Sequence, residues 1–375
     1  MRFLHTGDWQ LGMTRHYFSD GAQERYSEAR FEALRTIGRV AREQRCEFVV
    51  VCGDVFETNQ VDRKTVSNAL EALASIPVPV HLLPGNHDPL DAGSIFRQPT
   101  FQRRRPSHVH VFESTAPVTV SNGVELVGAP WTSKRPLHDL VQAACRDLAP
   151  SREVLRICVA HGAVDALAPD KDNPALIGLA AAERLLAEQR IHYLALGDKH
   201  SLTDVGASGR VRYAGTPEPT DFDEPQPGFA LVVELTPDSI QVEPVRLGTW
   251  SFAQREFELA SDADLDALER ALQETPNKQR TVLKLGLVGT LSLRQQARLE
   301  ERIEVAGDLF AAIVPSESRS YLAVLPDDAD FSALQLAGFA ERAAARLREL
   351  AVAGERTDTA RRALGLLLRL AERKS

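Results

Sequence analysis

Short apolar runs alternate with segments of helical periodicity in the first half of the chain. Residues 48–52 form a continuous run rich in β-branched side chains, which is typical of a strand buried on both faces. Residues 27–44 carry Phe31, Leu34 and Ile37 at the spacing of a helix that buries one face. Strand–helix–strand units early in the chain and hairpin-like strands later predict a layered α/β (α+β) domain. Further strands are predicted at 2–5, 78–83, 109–112, 118–120, 124–127, 155–159, 192–196, 211–214, 229–235 and 240–245, and further helices at 66–73 and 180–188.

The pattern changes near Gly248, where a smaller group of elements begins. Three strands alternating with two helices indicate a small α/β module; the strands are 256–259, 282–287 and 310–314, and the helices are 265–272 and 293–302. Two helices rich in alanine, leucine, arginine and glutamate follow at 331–350 and 359–373, the second with a broad apolar face. We therefore predict three parts, with bounds 1–248, 249–325 and 326–375.

Composition is that of an ordinary globular protein, with 43% hydrophobic and 26% charged residues in 375. The four cysteines form no CxxC pair, which predicts free thiols in a reducing compartment. The N-terminus lacks the apolar segment of a signal peptide, and no stretch approaches the roughly 20 apolar residues of a membrane helix. These features predict a cytoplasmic protein without a membrane partner.

The net charge of −8 does not favour a nucleic-acid ligand, because a basic face is the usual sign of phosphate binding. Carboxylates that hold metal would account for part of this negative charge. A basic run, Arg103-Arg104-Arg105, stands out locally. A solvated surface loop is the simpler interpretation of that run, and a phosphate contact is the alternative.

Five segments share one pattern, in which an apolar strand ends and a residue able to bind metal follows at once. Ligand sites in α/β sheets collect at the carboxyl ends of strands, so these segments can converge on one crevice. Each alone is weak evidence, because a Gly-Asp pair after a strand is usually a turn and a lone histidine is usually packed in the core. All five in order are hard to explain as turns. The candidates are Asp8, Gln10, Asp54, Asn86, His87, Asp88, His161, Asp198 and His200.

These residue types fit the hydrolysis of phosphoesters. Two cations roughly 4 Å apart can activate a water molecule and neutralise charge on the phosphoryl oxygens. A carboxylate is needed to bridge the two ions, and oxygen and imidazole ligands suit manganese or iron. A further acid should protonate the leaving oxygen.

The ordered motifs resemble the calcineurin-like metallophosphoesterases and, more narrowly, the SbcD-type DNA repair exonucleases. Residues 5–12, His-Thr-Gly-Asp-Trp-Gln-Leu-Gly, look like the opening motif of that group. Residues 53–56, Gly-Asp-Val-Phe, match its second motif, and residues 213–224 resemble the segment after its last metal motif. The resemblance covers residues 1 to about 230. It implies a four-layer β-sandwich flanked by helices, followed by a small α/β capping domain and C-terminal helices.

The resemblance also implies roles for single residues. The first ion would bind Asp8, Gln10, Asp54 and His200, and the second would bind Asp54, Asn86, His161 and Asp198. Asp54 would be the bridging carboxylate. His87 would assist the leaving oxygen or contact the phosphate, and Asp88 would orient His87. The two divalent ions would be Mn²⁺, with Fe²⁺ or Mg²⁺ as options.

Three positions depart from the family pattern. Gln10 and Asp198 stand where the family has histidine, and Glu57 stands where its nucleases often carry a second active-site histidine. In one interpretation the site is retuned towards oxygen donors. In the other the site is degenerate, and the protein is a non-catalytic scaffold that binds DNA ends. We favour retuning, because both replacements can still coordinate a cation.

The resemblance implies DNA as the substrate and an SbcC-like coiled-coil ABC-type ATPase as a partner. The C-terminal helices would suit such a partner, although packing on their own domain is the simpler interpretation. A homodimer is a further option. A phosphodiesterase that acts on small nucleotides is the alternative within the same fold.

Overall fold

The computed structural model describes residues 1–325, 338–352, 359–360, 363–364 and 367. The chain divides into two compact units. Unit 1 comprises Met1–His16 and Gln23–Trp250, and unit 2 comprises Tyr17–Ala22 and Ser251–Ser375.

A six-stranded sheet forms one half of unit 1, in the order β12-β11-β1-β2-β3-β4. Strands β1 to β4 are parallel, and β11 and β12 extend the sheet in antiparallel fashion. The strands are β1 (Arg2–Thr6), β2 (Val49–Val51), β3 (Val80–Leu82), β4 (Val109–Val111), β11 (Phe229–Leu235) and β12 (Ile240–Arg246). The helices between its parallel strands are α1 (Asp20–Glu43), α2 (Arg63–Ala74) and α3 (Pro99–Arg104).

A second six-stranded sheet has the order β5-β6-β7-β8-β10-β9. Its strands are β5 (Val118–Ser121), β6 (Val124–Ala129), β7 (Leu155–His161), β8 (Tyr193–Gly197), β9 (Thr203–Val205) and β10 (Val211–Tyr213). Its helices are α4 (Leu140–Cys145) and α5 (Leu179–Ala187). Strands β6, β7, β8 and β10 are parallel, so their carboxyl ends share one edge.

Alternate residues of the short strand β2 face two different cores. Val49 and Val51 pack with Leu34 of α1, on the helix side of the first sheet. Val50 packs with Val159 of β7, between the two sheets. A strand buried on both faces needs apolar side chains at every position, which explains the continuous run at this point. Two sheets face to face with helices outside confirm the predicted sandwich flanked by helices.

Unit 2 contains a parallel sheet built around one long strand. The first half of β14 pairs with β15 and its second half pairs with β16, while β13 pairs along its other edge. The strands are β13 (Ser251–Leu259), β14 (Thr281–Ser292), β15 (Ala312–Pro315) and β16 (Tyr321–Leu325), and the helices are α6 (Asp262–Gln273), α7 (Leu293–Gly307) and α8 (Phe339–Val352). The predicted role of 249–325 as a cap stays a prediction.

Several elements differ from the sequence-based expectations. Helix α1 begins at Asp20 rather than at 27, because its first turns are mostly polar and contain few apolar residues. Helices α3 and α4 have six residues each, too few to show a helical period, and strands β9 and β16 are not among the predicted strands. Most of the helix predicted at 359–373 lies outside the described residues. Among the described residues, no helix is long and apolar enough to cross a membrane.

Candidate metal centre

Four strand ends from both sheets of unit 1 meet at one point. Asp8 and Asp54 follow β1 and β2 of the first sheet, and His161 ends β7 of the second. The ligand atoms of these three buried side chains lie within 4.8 Å of one another. Asp198, directly after β8, joins them through its backbone, since its amide donates to both oxygens of Asp8 at 2.9 and 3.1 Å. The sandwich thus brings residues together that are up to 190 positions apart.

Left-handed backbone conformations mark the candidate ligands. Asp8, Gln10, Asp54 and Asp198 have φ values of 52°, 43°, 50° and 100°. Such conformations cost on the order of 1–3 kcal/mol each and persist only where the surrounding structure enforces them. Backbone bonds between the first two strand-end loops do so here, because Gln10 N donates to Asp54 O at 2.8 Å. The strain directs these side chains towards a common point.

Glycine is required where the loop after β2 passes His161. A Cβ at Gly53 would lie 2.2 Å from Nδ1 of His161, and its φ of +90° is itself unfavourable for a side chain. This close approach lets Nδ1 of His161 reach the carbonyl of Cys52 at 2.8 Å. A carbonyl only accepts, so Nδ1 holds a proton and Nε2 is the atom directed at the site.

Nε2 of His161 faces three oxygen atoms. It lies 2.6 Å from Oδ1 of Asn86, 3.4 Å from Oδ1 of Asp54 and 3.8 Å from Oδ1 of Asp198. Burial lowers the pKa of His161, but the carboxylates of Asp54, Asp8 and Asp198 together outweigh it and raise that pKa well above its usual value. Burial also raises the pKa of Asp8 to about 6. The cluster therefore favours a positive charge, which a divalent cation would supply.

His200 is held from outside the cluster. Its Nδ1 lies 2.7 Å from both Oγ1 of Thr220 and Oε1 of Glu224, so the ring donates to a carboxylate and directs Nε2 inwards. Burial lowers the pKa of His200, but the hydrogen bond to Glu224 together with the charges of Asp8, Glu224 and Asp54 more than offsets this and raises it. A carboxylate behind an imidazole is the usual support of a metal-binding histidine. Sequence reasoning noted Glu224 only as part of a matching segment and did not assign it this contact.

Gln10 provides a direct test of whether the cluster suits a cation. Its side chain is 2% exposed, and Nε2 lies 3.3 Å from Nε2 of His200. Its Oε1 is buried without a hydrogen-bond partner among the described residues. Leaving such an oxygen unsatisfied costs about 1–3 kcal/mol, and a hard cation would satisfy it. The residues present therefore fit a metal ion.

His87 lies at the open side of the cluster. Its side chain is 36% exposed, and its Nε2 is 3.9 Å from Oδ2 of Asp54. Nδ1 is 2.8 Å from the backbone carbonyl of Glu57, which accepts its proton. The backbone amide of His87 also donates to Oδ1 of Asp54 at 3.0 Å. His87 is thus fixed by its neighbours while Nε2 remains accessible.

Asp88 does not orient His87 as expected. Its buried carboxylate accepts from the backbone amides of Gly85 at 2.8 Å and Phe56 at 2.9 Å. The two oxygens thus connect the loop after β2 with the loop after β3. The ring of His87 forms its hydrogen bond with the backbone carbonyl of Glu57 instead. Burial, together with the nearby Asp54, raises the pKa of Asp88 to about 7. Asp88 therefore holds the loop that carries His87, and its predicted catalytic role stays a prediction.

Comparisons with known proteins support the same interpretation of the cluster. A family model described as "Calcineurin-like phosphoesterase" matches residues 1–202. The SbcD subunit of the nuclease SbcCD of Bacillus subtilis is 27% identical over 148 residues, which is 38% of this chain and 31% of that protein. "DNA double-strand break repair protein Mre11" of Haloferax volcanii is 25% identical over 283 residues, which is 73% of this chain and 58% of that protein. The chain therefore spans less than two thirds of the length of either relative.

Among solved structures, a dimetal phosphatase from Danio rerio is similar at a TM-score of 0.42 and 14% identity, covering 65% of this chain and 95% of that one. The protein TT1561 of Thermus thermophilus is similar at a TM-score of 0.41 and 12% identity, covering 65% and 99%.

Proposed function

The chain belongs to the calcineurin-like phosphoesterase family, and from this premise we propose that it cuts the phosphodiester bonds of DNA with two divalent cations. Family membership makes it a metal-dependent phosphoesterase. DNA as substrate, manganese as the metal and the role of each residue are parts of the proposal. The observation that supports it most directly is the buried cluster of Asp8, Asp54 and His161, beside which Gln10 presents an unsatisfied oxygen.

The proposed ligands divide into two sets that share Asp54. Asp8, Gln10 and His200 complete the first set, since Nε2 of His200 faces the amide of Gln10. Asn86, His161 and Asp198 complete the second set. The side-chain oxygens of Asn86 and Asp198 lie near Nε2 of His161. Oxygen donors with one imidazole per ion suit Mn²⁺, and Fe²⁺ or Mg²⁺ are the other options.

The protein's own groups would position the phosphate and handle the proton. Two bound cations would activate water and offset charge on the phosphoryl oxygens. The hydrogen bond from Nδ1 of His87 to the backbone carbonyl of Glu57 leaves Nε2 without a hydrogen-bond partner among the described residues. In the proposed reaction, Nε2 carries a proton and donates it to the leaving oxygen. The exposure of His87 gives the substrate access to this atom. The backbone amide of His87 donates to Asp54, and this hydrogen bond fixes the position of His87 relative to the ligand cluster.

The names of the two relatives support DNA as the substrate class. One is named as a nuclease subunit and the other as a DNA double-strand break repair protein. Since the chain spans only part of each, an SbcC-like ATPase partner, a homodimer and a role in DNA repair remain proposals. A cytoplasmic location is likewise a prediction from the sequence.

The proposal is tested with wild type, Asp54→Asn and His87→Ala. We expect wild type to bind two Mn²⁺ ions and to cut linear duplex DNA. Asp54→Asn should lose ions and cutting together, whereas His87→Ala should keep both ions and cut roughly 10²–10⁴-fold more slowly. Asp204→Asn, which changes a half-exposed carboxylate paired with Arg212, is the matched control and should behave as wild type.

Two outcomes contradict the proposal in different ways. Wild type that takes up no metal and hydrolyses nothing would support a degenerate scaffold. Wild type that binds two ions and hydrolyses small nucleotide phosphodiesters but leaves DNA intact would support the small-substrate alternative.

A further inference from the structure

We propose that a cationic patch on unit 1 binds the phosphate backbone of duplex DNA beside the metal centre. The patch consists of Arg63, Lys64, Arg97, Arg103 and Arg104, all of which are exposed. The inference rests on the proposed DNA substrate and adds a surface that would hold the duplex outside the ligand cluster.

Hydrogen bonds join the two helices that carry four of the five patch residues, and Arg97 ends the short helical turn before α3. Arg104 at the end of α3 donates through Nη1 to Oγ of Ser67 at 2.7 Å. Ser67 in turn donates to the carbonyl of Arg63 at 2.9 Å, one helical turn earlier in α2. The guanidinium of Arg104 therefore lies against Ser67, about one helical turn from Arg63. Two segments distant in sequence meet here with like charges.

The patch is not neutralised by the protein. Among the described residues, no salt bridge reaches any of the five side chains. Some arginines elsewhere on unit 1 are paired with carboxylates, as Arg35 is with Glu28 at 2.8 Å and Arg39 is with Glu43 at 2.9 Å. The first turn of α2 has no acidic side chain, and the capping carboxylate of Asp62 accepts from Thr65.

Unpaired like charges repel one another, and a polyanion relieves this repulsion. A chain with a net charge of −8 would be expected to surround its cations with carboxylates. The concentration of unpaired cations at one place therefore indicates an anionic partner. Duplex DNA matches it better than a single phosphate, because the cations are spread over α2, α3 and the short turn before α3.

The length of the connecting loop places the patch near the cluster. Helix α2 starts at Arg63, six residues after Glu57, whose carbonyl holds His87. Six residues span at most about 20 Å. Base pairs follow one another at about 3.4 Å, so this distance corresponds to roughly six base pairs. We therefore expect the patch to contact phosphates within about six base pairs of the bond next to His87.

The test compares Arg63→Ala/Arg104→Ala with the control Arg35→Ala/Arg39→Ala, which removes the same charge from ion-paired positions. Binding of a fluorescent 30-base-pair duplex is measured by anisotropy in EDTA at several salt concentrations. We expect the patch variant to bind about tenfold more weakly. The slope of log K against log salt should become less negative by about 2. The control should stay within about twofold of wild type.

A second readout separates the patch from the metal centre. Hydrolysis of bis(p-nitrophenyl) phosphate with Mn²⁺ should be equal in wild type and in the patch variant, because this substrate is too small to reach α2. Unchanged duplex affinity and salt slope in the patch variant overturn the patch while leaving the proposed nuclease intact. Wild type that hydrolyses the small ester but binds no duplex overturns both. Preferential loss of single-stranded RNA binding also overturns the inference.

Discussion

Oε1 of Glu224 lies 2.7 Å from Nδ1 of His200, and the other nitrogen of that ring faces the metal-ligand candidates. The carboxylate is 24 residues further along the chain and is itself held by the backbone amide of Thr220 at 2.8 Å. It determines which nitrogen of His200 carries the proton and where the ring points. Through this contact, Glu224 positions His200, a member of the first proposed set of metal ligands.

Glu224→Ala should weaken binding of the first Mn²⁺ by about 10–100-fold, because His200 loses the acceptor that orients it. Glu224→Gln should restore part of the affinity, since an amide oxygen can still accept from Nδ1. Isothermal titration calorimetry with Mn²⁺ measures both. Glu188→Gln, at a largely exposed carboxylate paired with Arg190, is the control. Equal affinity in wild type and Glu224→Ala would show that His200 needs no such support.

Gln10→Met should lower the number of bound Mn²⁺ ions from two to one without lowering the stability of the metal-free protein, measured in EDTA at pH 7. Methionine has a similar volume and removes the buried oxygen that lacks a partner, which contributes about 1 kcal/mol of stability. Gln10→Glu should retain two ions. Elemental analysis after gel filtration gives the ion count, and urea unfolding gives the free energy. Retention of two ions by Gln10→Met would exclude Gln10 as a ligand.

Asp88→Asn should destabilise the protein by about 2 kcal/mol, because one of the two amides of Gly85 and Phe56 then faces an NH₂ group. The loop that carries His87 should become looser as a consequence. Chemical denaturation and the rate of DNA cutting are measured together. A loss of cutting with unchanged stability would instead support a catalytic role for Asp88.

His81→Phe should flatten the dependence of stability on pH. Burial lowers the pKa of His81 to about 4 in the folded protein, against about 6.5 when unfolded. Between these values the unfolded chain binds a proton that the folded one does not. The contribution of His81 to stability is therefore fully present above pH 6.5 and is lost as the pH falls to 4, by about 3 kcal/mol in total.

Phenylalanine does not titrate and would join the aromatic rings of Phe48 and Phe112 around position 81. Urea unfolding at pH 7, 6, 5 and 4 should show a smaller decline for His81→Phe than for wild type. His138→Phe, at an exposed position, should decline as wild type does. Parallel curves for wild type and His81→Phe would contradict the assignment.

Local sequence determined most strands of both sheets and the residues at their ends. The apolar run around Val50 can only be a strand covered on both faces, and a polar residue straight after such a strand must lie at the sheet edge. Asp8 and Asp54 could therefore be expected together from the sequence alone, because parallel strands of one sheet place their carboxyl ends on one side. His161 ends a strand of the other sheet and meets them through the packing of the two sheets. Their metal-binding roles stay predictions until ions are measured.

Tertiary structure alone decided how the side chains around these ligands are paired. Asp88 follows His87 in sequence, yet it bonds backbone amides, and the ring is held by the carbonyl of Glu57. Glu224 reaches His200 through a loop without regular structure. A strand pattern arises from burial along one segment and can be read locally. A hydrogen bond between loops depends on distances of about 3 Å between segments, which no periodicity in the sequence encodes.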